Sequence, residues 1–193
     1  MKRLLTFSAA LLFAVGISAF LTTGCEEITN AATVKVPLTV DLYPTSINPT
    51  IPQTDVDCID LSEDSDYNDN KDKIKGGELK SASFQIQELN GAQFDPQTAV
   101  FSTVTFTLKF DEVYGDAKVY QLGTFNNVAV KTLIEAPMNI PVTNDAKAAI
   151  DLIARGRAKF CTECNYGPFT SGPGGAAYLK GHLQLKIDFT AGL

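Results

Sequence analysis

This sequence predicts an all-β fold: an antiparallel β-sandwich with one short helix near the C-terminus. Three observations predict it. Segments in which apolar and polar residues alternate recur along the chain, and period two marks a strand with one buried and one wet face. Turn signals such as Asn90-Gly91 and Gly115-Asp116 stand between these segments. Only residues 145–155 are firmly amphipathic at helical spacing. Alternating half-buried strands with few helices belong to two-sheet architectures.

The chain opens on MKRLLTFSAALLFAVGISAFLTTGC. Lys2 and Arg3 form a charged start, residues 4–21 an apolar run, and small residues lead into a cysteine. Thr6, Ser8, Gly16 and Ser18 interrupt the run, which suits a cleaved leader better than a membrane span of ~20 apolar residues. The Thr22-Thr23-Gly24-Cys25 junction resembles the lipobox of bacterial lipoproteins, although Leu21 stands one position further from the cysteine than is usual there. The resemblance implies a signal peptide over 1–24 and an acylated Cys25, bearing palmitate or a similar chain, as the new N-terminus. It also implies a lipid-anchored place in the cell envelope, at the outer membrane. Residues 25–33 then read as a tether and 34–193 as a single sandwich domain.

Within that domain, Val34, Val36, Leu38, Val40 and Leu42 alternate with polar partners, and Pro37, which lacks an N–H, assigns this strand to an edge. Residues 44–54 carry three prolines and read as a loop. Residues 55–72 hold eight of the 22 acids; Ser65 is placed to cap a short helix over 66–74, with Gly76-Gly77 ending it. Strands follow around Ala82–Phe84–Ile86 and Val104–Phe106–Leu108–Phe110, then over 118–122 and 128–134, with residues 137–142 extended at an edge. Thr143 or Asn144 caps the helix over 145–155; Ala146, Ala149, Ile150 and Ile153 share one face, and Gly156 stops it. A strand begins over 158–164, and a Gly/Pro-rich loop covers 165–177, where Tyr166 and Phe169 are the contact aromatics. The last strand has Leu179, Gly181, Leu183, Leu185, Ile187 and Phe189 inward, with Lys180, His182, Gln184, Lys186 and Asp188 outward. This ending loosely resembles immunoglobulin-like and late-embryogenesis-abundant-type sandwiches, a likeness of pattern that carries no function.

Charge narrows the function. Removing 1–24 from 193 residues leaves 169 and takes the net charge from −6 to −8. An acidic chain lacks the Lys/Arg excess that phosphate contacts require, so nucleic acid is not an expected partner. The same charge opposes adsorption to anionic lipid, so the membrane contact rests on acylated Cys25.

Several constellations invite chemistry. Asp64, Asp66, Asn68, Asn70 and Asp72 offer oxygens at every second position, a weak candidate set for calcium. An EF-hand loop counted from Asp64 fails, because its sixth and twelfth positions are Asp69 and Lys75. Cys58, Cys161 and Cys164 are disulfide candidates in an exported chain, with the pairing open. The Cys161–Cys164 spacing is that of redox motifs, but a strand precedes it and no helix follows, so a structural bond is expected. A Cys₃His zinc site with His182 is chemically allowed. His182, the only histidine, falls on a polar strand face and is expected in solvent. Neither G-x-S-x-G nor H-E-x-x-H occurs, and no catalytic residues are assigned. The expected function is therefore a lipid-anchored envelope protein with a binding or structural role, partnered by other envelope proteins and not an enzyme. The alternatives are a surface fibre or adhesin subunit assembling by strand addition, and a metal-dependent envelope hydrolase.

Overall fold

Most of the predicted strands lie in two antiparallel sheets of a computed structural model, which describes residues 33–47, 53–110, 118–169, 176 and 178–192. The leader, Cys25, the tether up to residue 32, the Gly115-Asp116 turn and most of the Gly/Pro-rich loop lie outside the described residues. In chain order the strands are β1 (Thr33–Leu42), β2 (Thr45–Ile47), β3 (Gln53–Asp60), β4 (Ile74–Asn90), β5 (Val100–Phe110), β6 (Val119–Ala129), β7 (Met138–Ile140), β8 (Lys159–Tyr166) and β9 (Tyr178–Gly192). The helices are α1 (Ser65–Asn70), α2 (Val130–Glu135) and α3 (Asn144–Ala154).

The first sheet runs β1-β9-β4-β7, with β2 continuing β1 along the same flank of β9; the second runs β3-β8-β5-β6. Strands pair from the outside of the sequence inward: β1 with β9, β3 with β8, β4 with β7, β5 with β6. Rolling that long hairpin so that β9 also meets β4 and β8 also meets β5 gives a jelly roll. The immunoglobulin likeness extends no further than the shared sandwich architecture. Pro37 does sit in an edge strand, where a missing N–H on the open side costs no ladder bond.

The interior fills from alternate residues. Along β9, Leu179, Leu183, Leu185, Ile187 and Phe189 are buried. Phe84 of β4 meets Phe106 of β5 across the sheets, ring centroids 4.9 Å apart. Gly181 makes this possible, since a Cβ there would stand 2.5 Å from the Phe84 ring. Gly77, expected to end a helix, lies inside β4; a Cβ on it would stand 2.8 Å from Ile150, so its bareness lets α3 seat on the sheet.

α3 forms where its pattern predicts. Thr143 Oγ1 accepts from the Ala146 N–H at 3.0 Å, and Ala146, Ala149, Ile150 and Ile153 are buried. Gly156, at φ +96°, closes it: its N–H bonds to Ile153 O and that of Arg157 to Leu152 O.

Three expectations need correction. The described residues hold three α-helices and two single-turn 3₁₀ helices, and the longest, α3, is followed by β8 and β9, so it does not stand at the C-terminal end. Residues 118–122 and 128–134 are not two strands: β6 is continuous through Ala129, and α2 follows because Val130 and Leu133, three apart, both find the core. Residues 53–60, read as loop and acidic segment, form β3, whose polarity is inverted: Asp55 is buried and Val56 is 46 % exposed.

Candidate functional site

The polar groups that sequence reading scattered along the chain gather at one flank, where β1 and β2 of the first sheet lie beside β3 of the second. The Tyr43 N–H donates to Asp57 Oδ2 at 2.7 Å, and Ser46 Oγ donates to Gln53 Oε1 at 3.3 Å. These two bonds close the seam between the sheets.

On the outer face of the first sheet the seam presents His182. Its Nε2 lies 2.8 Å from Asp41 Oδ1, within hydrogen-bond reach of the carboxylate. Gln184 Nε2 donates to the same oxygen at 3.0 Å. The Tyr43 ring stacks on the imidazole at 4.9 Å and 9°, with Lys180 Nζ 5.4 Å from the Tyr43 centroid. His182 is therefore half-buried and paired, where a solvated surface residue was expected. Its contact with Asp41 spans 141 residues, which no local pattern reveals.

Inside the seam, register places Gln53 opposite Tyr166, Asp55 opposite Cys164 and Asp57 opposite Thr162. Asp55, Thr162, Cys164 and Tyr166 are each no more than 1 % exposed. Gln53 Nε2 donates to Asp55 Oδ1 at 2.8 Å. Among the described residues, Asp55 Oδ2, Thr162 Oγ1 and Tyr166 Oη find no hydrogen-bond partner of ordinary geometry, which is uncommon for buried polar atoms. Burial pushes the Asp55 carboxyl from its usual 3.8 up to about 6, against the opposing pull of Ser46, Gln53 and the nearby Tyr166. Burial, and then the neighbouring Asp55, pushes the Cys164 thiol well above its ordinary range. The Tyr166 phenol moves the same way through burial and then the pull of Cys164 and Asp55. Tyr166 is thus an interior residue rather than a loop contact. Phe169 packs on Phe94 and Phe101, at 4.3 and 4.8 Å.

Outside β3 the polarity is apolar and covalent. Cys58 and Cys161, opposite one another in register, form a disulfide with Cα atoms 3.9 Å apart; Cys164, on the other face of β8, stays free. With Cys161 bonded to Cys58, Cys161 and Cys164 do not form the redox pair that their spacing suggests, and the Cys₃His set is not assembled. An open groove of about 700 Å³ runs past the disulfide, Val56 and Phe110. Ion pairs rim it: Lys109 with Glu163 at 2.6 Å and Lys159 with Asp60 at 3.0 Å. The Ser62 hydroxyl, assisted by Lys159, holds the Asp60 carboxyl below its usual range.

The calcium candidates are not brought together. Asp64, not Ser65, caps α1, its Oδ1 accepting from the Tyr67 N–H at 2.9 Å. Asn68 accepts from Lys71 Nζ, and Asn70 donates to Asp66 O. Asp66, Asn68 and Asn70 lie on a helix, where alternate residues turn about 200° apart, and Asp72 lies in the 3₁₀ turn that follows. Among the described residues no group of three or more His, Cys, Asp and Glu side chains forms a metal site. The segment is a plug: buried Tyr67 donates to Ile153 O at 2.8 Å and packs on Phe189. Cys25 lies outside the described residues.

No family model and no curated protein matches this chain. Among solved structures it is similar to one described as Desmodium yellow mottle tymovirus, with 10 % identity, 100 % of this chain and 96 % of that one covered, and a TM-score of 0.24. A second, described as tobacco necrosis virus, has 10 % identity, 83 % and 97 % coverage and a TM-score of 0.30.

Proposed function

We propose that this chain is an exported lipoprotein of the cell envelope, held at the outer membrane by acylated Cys25, whose jelly-roll domain binds or braces other envelope components rather than catalysing a reaction. The observation that carries the reading is the Cys58–Cys161 disulfide. Disulfides of this structural kind persist where the surroundings are oxidising, outside the cytoplasm. That agrees with a leader whose charged start, apolar run and Gly24-Cys25 junction resemble those of lipoproteins. A single acyl chain anchors weakly, so stable attachment calls for the multiple chains that lipoprotein processing supplies.

Fractionation of cells expressing the full chain and its Cys25→Ala variant tests this. The wild-type protein is expected in outer-membrane fractions, with an intact mass of residues 25–193 plus acyl chains. The variant is expected to lose both the added mass and the membrane association. A mature protein that starts elsewhere, or carries no acyl group, overturns the reading.

A further inference from the structure

We propose that β3 is a releasable edge strand: the Cys58–Cys161 bond holds it against the cost of burying its own carboxylate, and reduction of that bond lets it undock from β8. β3 ends the second sheet and is laddered to β8 alone; on its other side two side chains, Asp57 and Gln53, reach hydrogen bonds with Tyr43 and Ser46. Its hydrophobic pattern does not hold it in place. The row that faces the interior is Gln53, Asp55, Asp57 and Ile59, while Val56 faces solvent. A strand register is ordinarily fixed by its apolar face, and here only Ile59 supplies one. The covalent bond takes over that task, and it is reachable, since Cys58 is exposed.

The interior gains little from the strand's presence. Asp55 is 1 % exposed and only one of its oxygens is bonded. The titratable groups facing it are Cys164 and Tyr166 of β8, with Ser46 of β2 and Gln53 of β3 as polar neighbours; no cation stands among the groups that act on it. Asp57, next along the same row, is held by the Tyr43 amide. Undocking returns Asp55 to water.

The redox step needs a dithiol reductant. Its thiolate attacks Cys58 Sγ, the S–S bond breaks, and Cys161 leaves as a thiolate that takes up a proton. The reductant's second thiolate then displaces Cys58 from the mixed disulfide. Two protein thiols and an oxidised dithiol result. Proton linkage adds a second control. The docked carboxyl titrates near 6 and the released one near 3.8, so its support for docking is complete below 3.8 and is lost as pH rises through 6. From pH 5 to pH 8 the docking equilibrium is expected to shift about tenfold towards release.

Cys164 reports the event, because it is buried opposite Asp55. The full chain carrying Cys58→Ser and Cys161→Ser is labelled with a maleimide, with rates normalised to the urea-unfolded chain at the same pH. The oxidised wild-type chain should protect Cys164 at both pH 5 and pH 8. The serine pair should label faster, by about a further tenfold at pH 8 over pH 5, and adding Asp55→Asn should abolish that pH step. Wild-type protein treated with a dithiol should lose hydrogen-exchange protection over 53–60 while keeping it over 178–192. Equal protection of Cys164 with and without the bond overturns the proposal. So does a pH step that survives Asp55→Asn, or simultaneous loss of protection over 53–60 and 178–192, which is unfolding of the whole domain.

Discussion

At the scale of single residues, the chain departs most from ordinary packing at Asp55. A buried carboxyl whose folded-state value near 6 exceeds its unfolded value of about 3.8 favours the folded state fully below 3.8 and less as pH rises through 6. Asp55→Asn keeps an oxygen for Gln53 and removes the charge. The variant is expected to match the wild type in urea midpoint at pH 4 and to exceed it at pH 8. A wild-type advantage at pH 8 would contradict the assignment. None of this could be read from residues 53–60 alone. Asp-Val-Asp-Cys reads as a wet segment, because a buried acid is an exception to the pattern that sequence reading relies on. The cysteine pairing was hidden for a different reason: three thiols leave it open, and only the register of β3 against β8 brings Cys58 to Cys161.

Elements were legible where period and capping agree. β9 alternates without error, and α3 has an N-cap, an apolar stripe and a terminating glycine, so both formed as expected. Thr143→Ala should cost about 1 kcal/mol of stability through loss of the cap, read as a lowered urea midpoint with unchanged m. That loss should be at least as large as in an isolated helix, because Thr143 Oγ1 also donates to Gln121 O and so ties α3 to β6. α2 was illegible because six residues beginning Val-Lys-Thr resemble a β-branched strand, and contact with the core outweighed that local preference. The acidic run hid a structural plug: Tyr67, buried beside the core, ties α1 to α3 by donating its hydroxyl to Ile153 O.

For the molecule as a whole, two antiparallel sheets follow from local periodicity, but their strand order does not. Partners such as β1 and β9 lie at opposite ends of the chain, and nothing near either names the other. The seam that gathers Asp41, Tyr43, Asp57 and His182 exists only because of that order. The pairing that begins the roll has one more consequence. Thr33 lies opposite Gly192, so the domain's first and last paired residues are neighbours. A circularly permuted chain, with a short glycine-serine linker from 192 to 33 and new ends opened at Asn90-Gly91, should therefore refold to the same β-rich circular dichroism spectrum. It should melt in one cooperative transition. Splitting the β9 ladder instead, between Leu185 and Lys186, should abolish that transition.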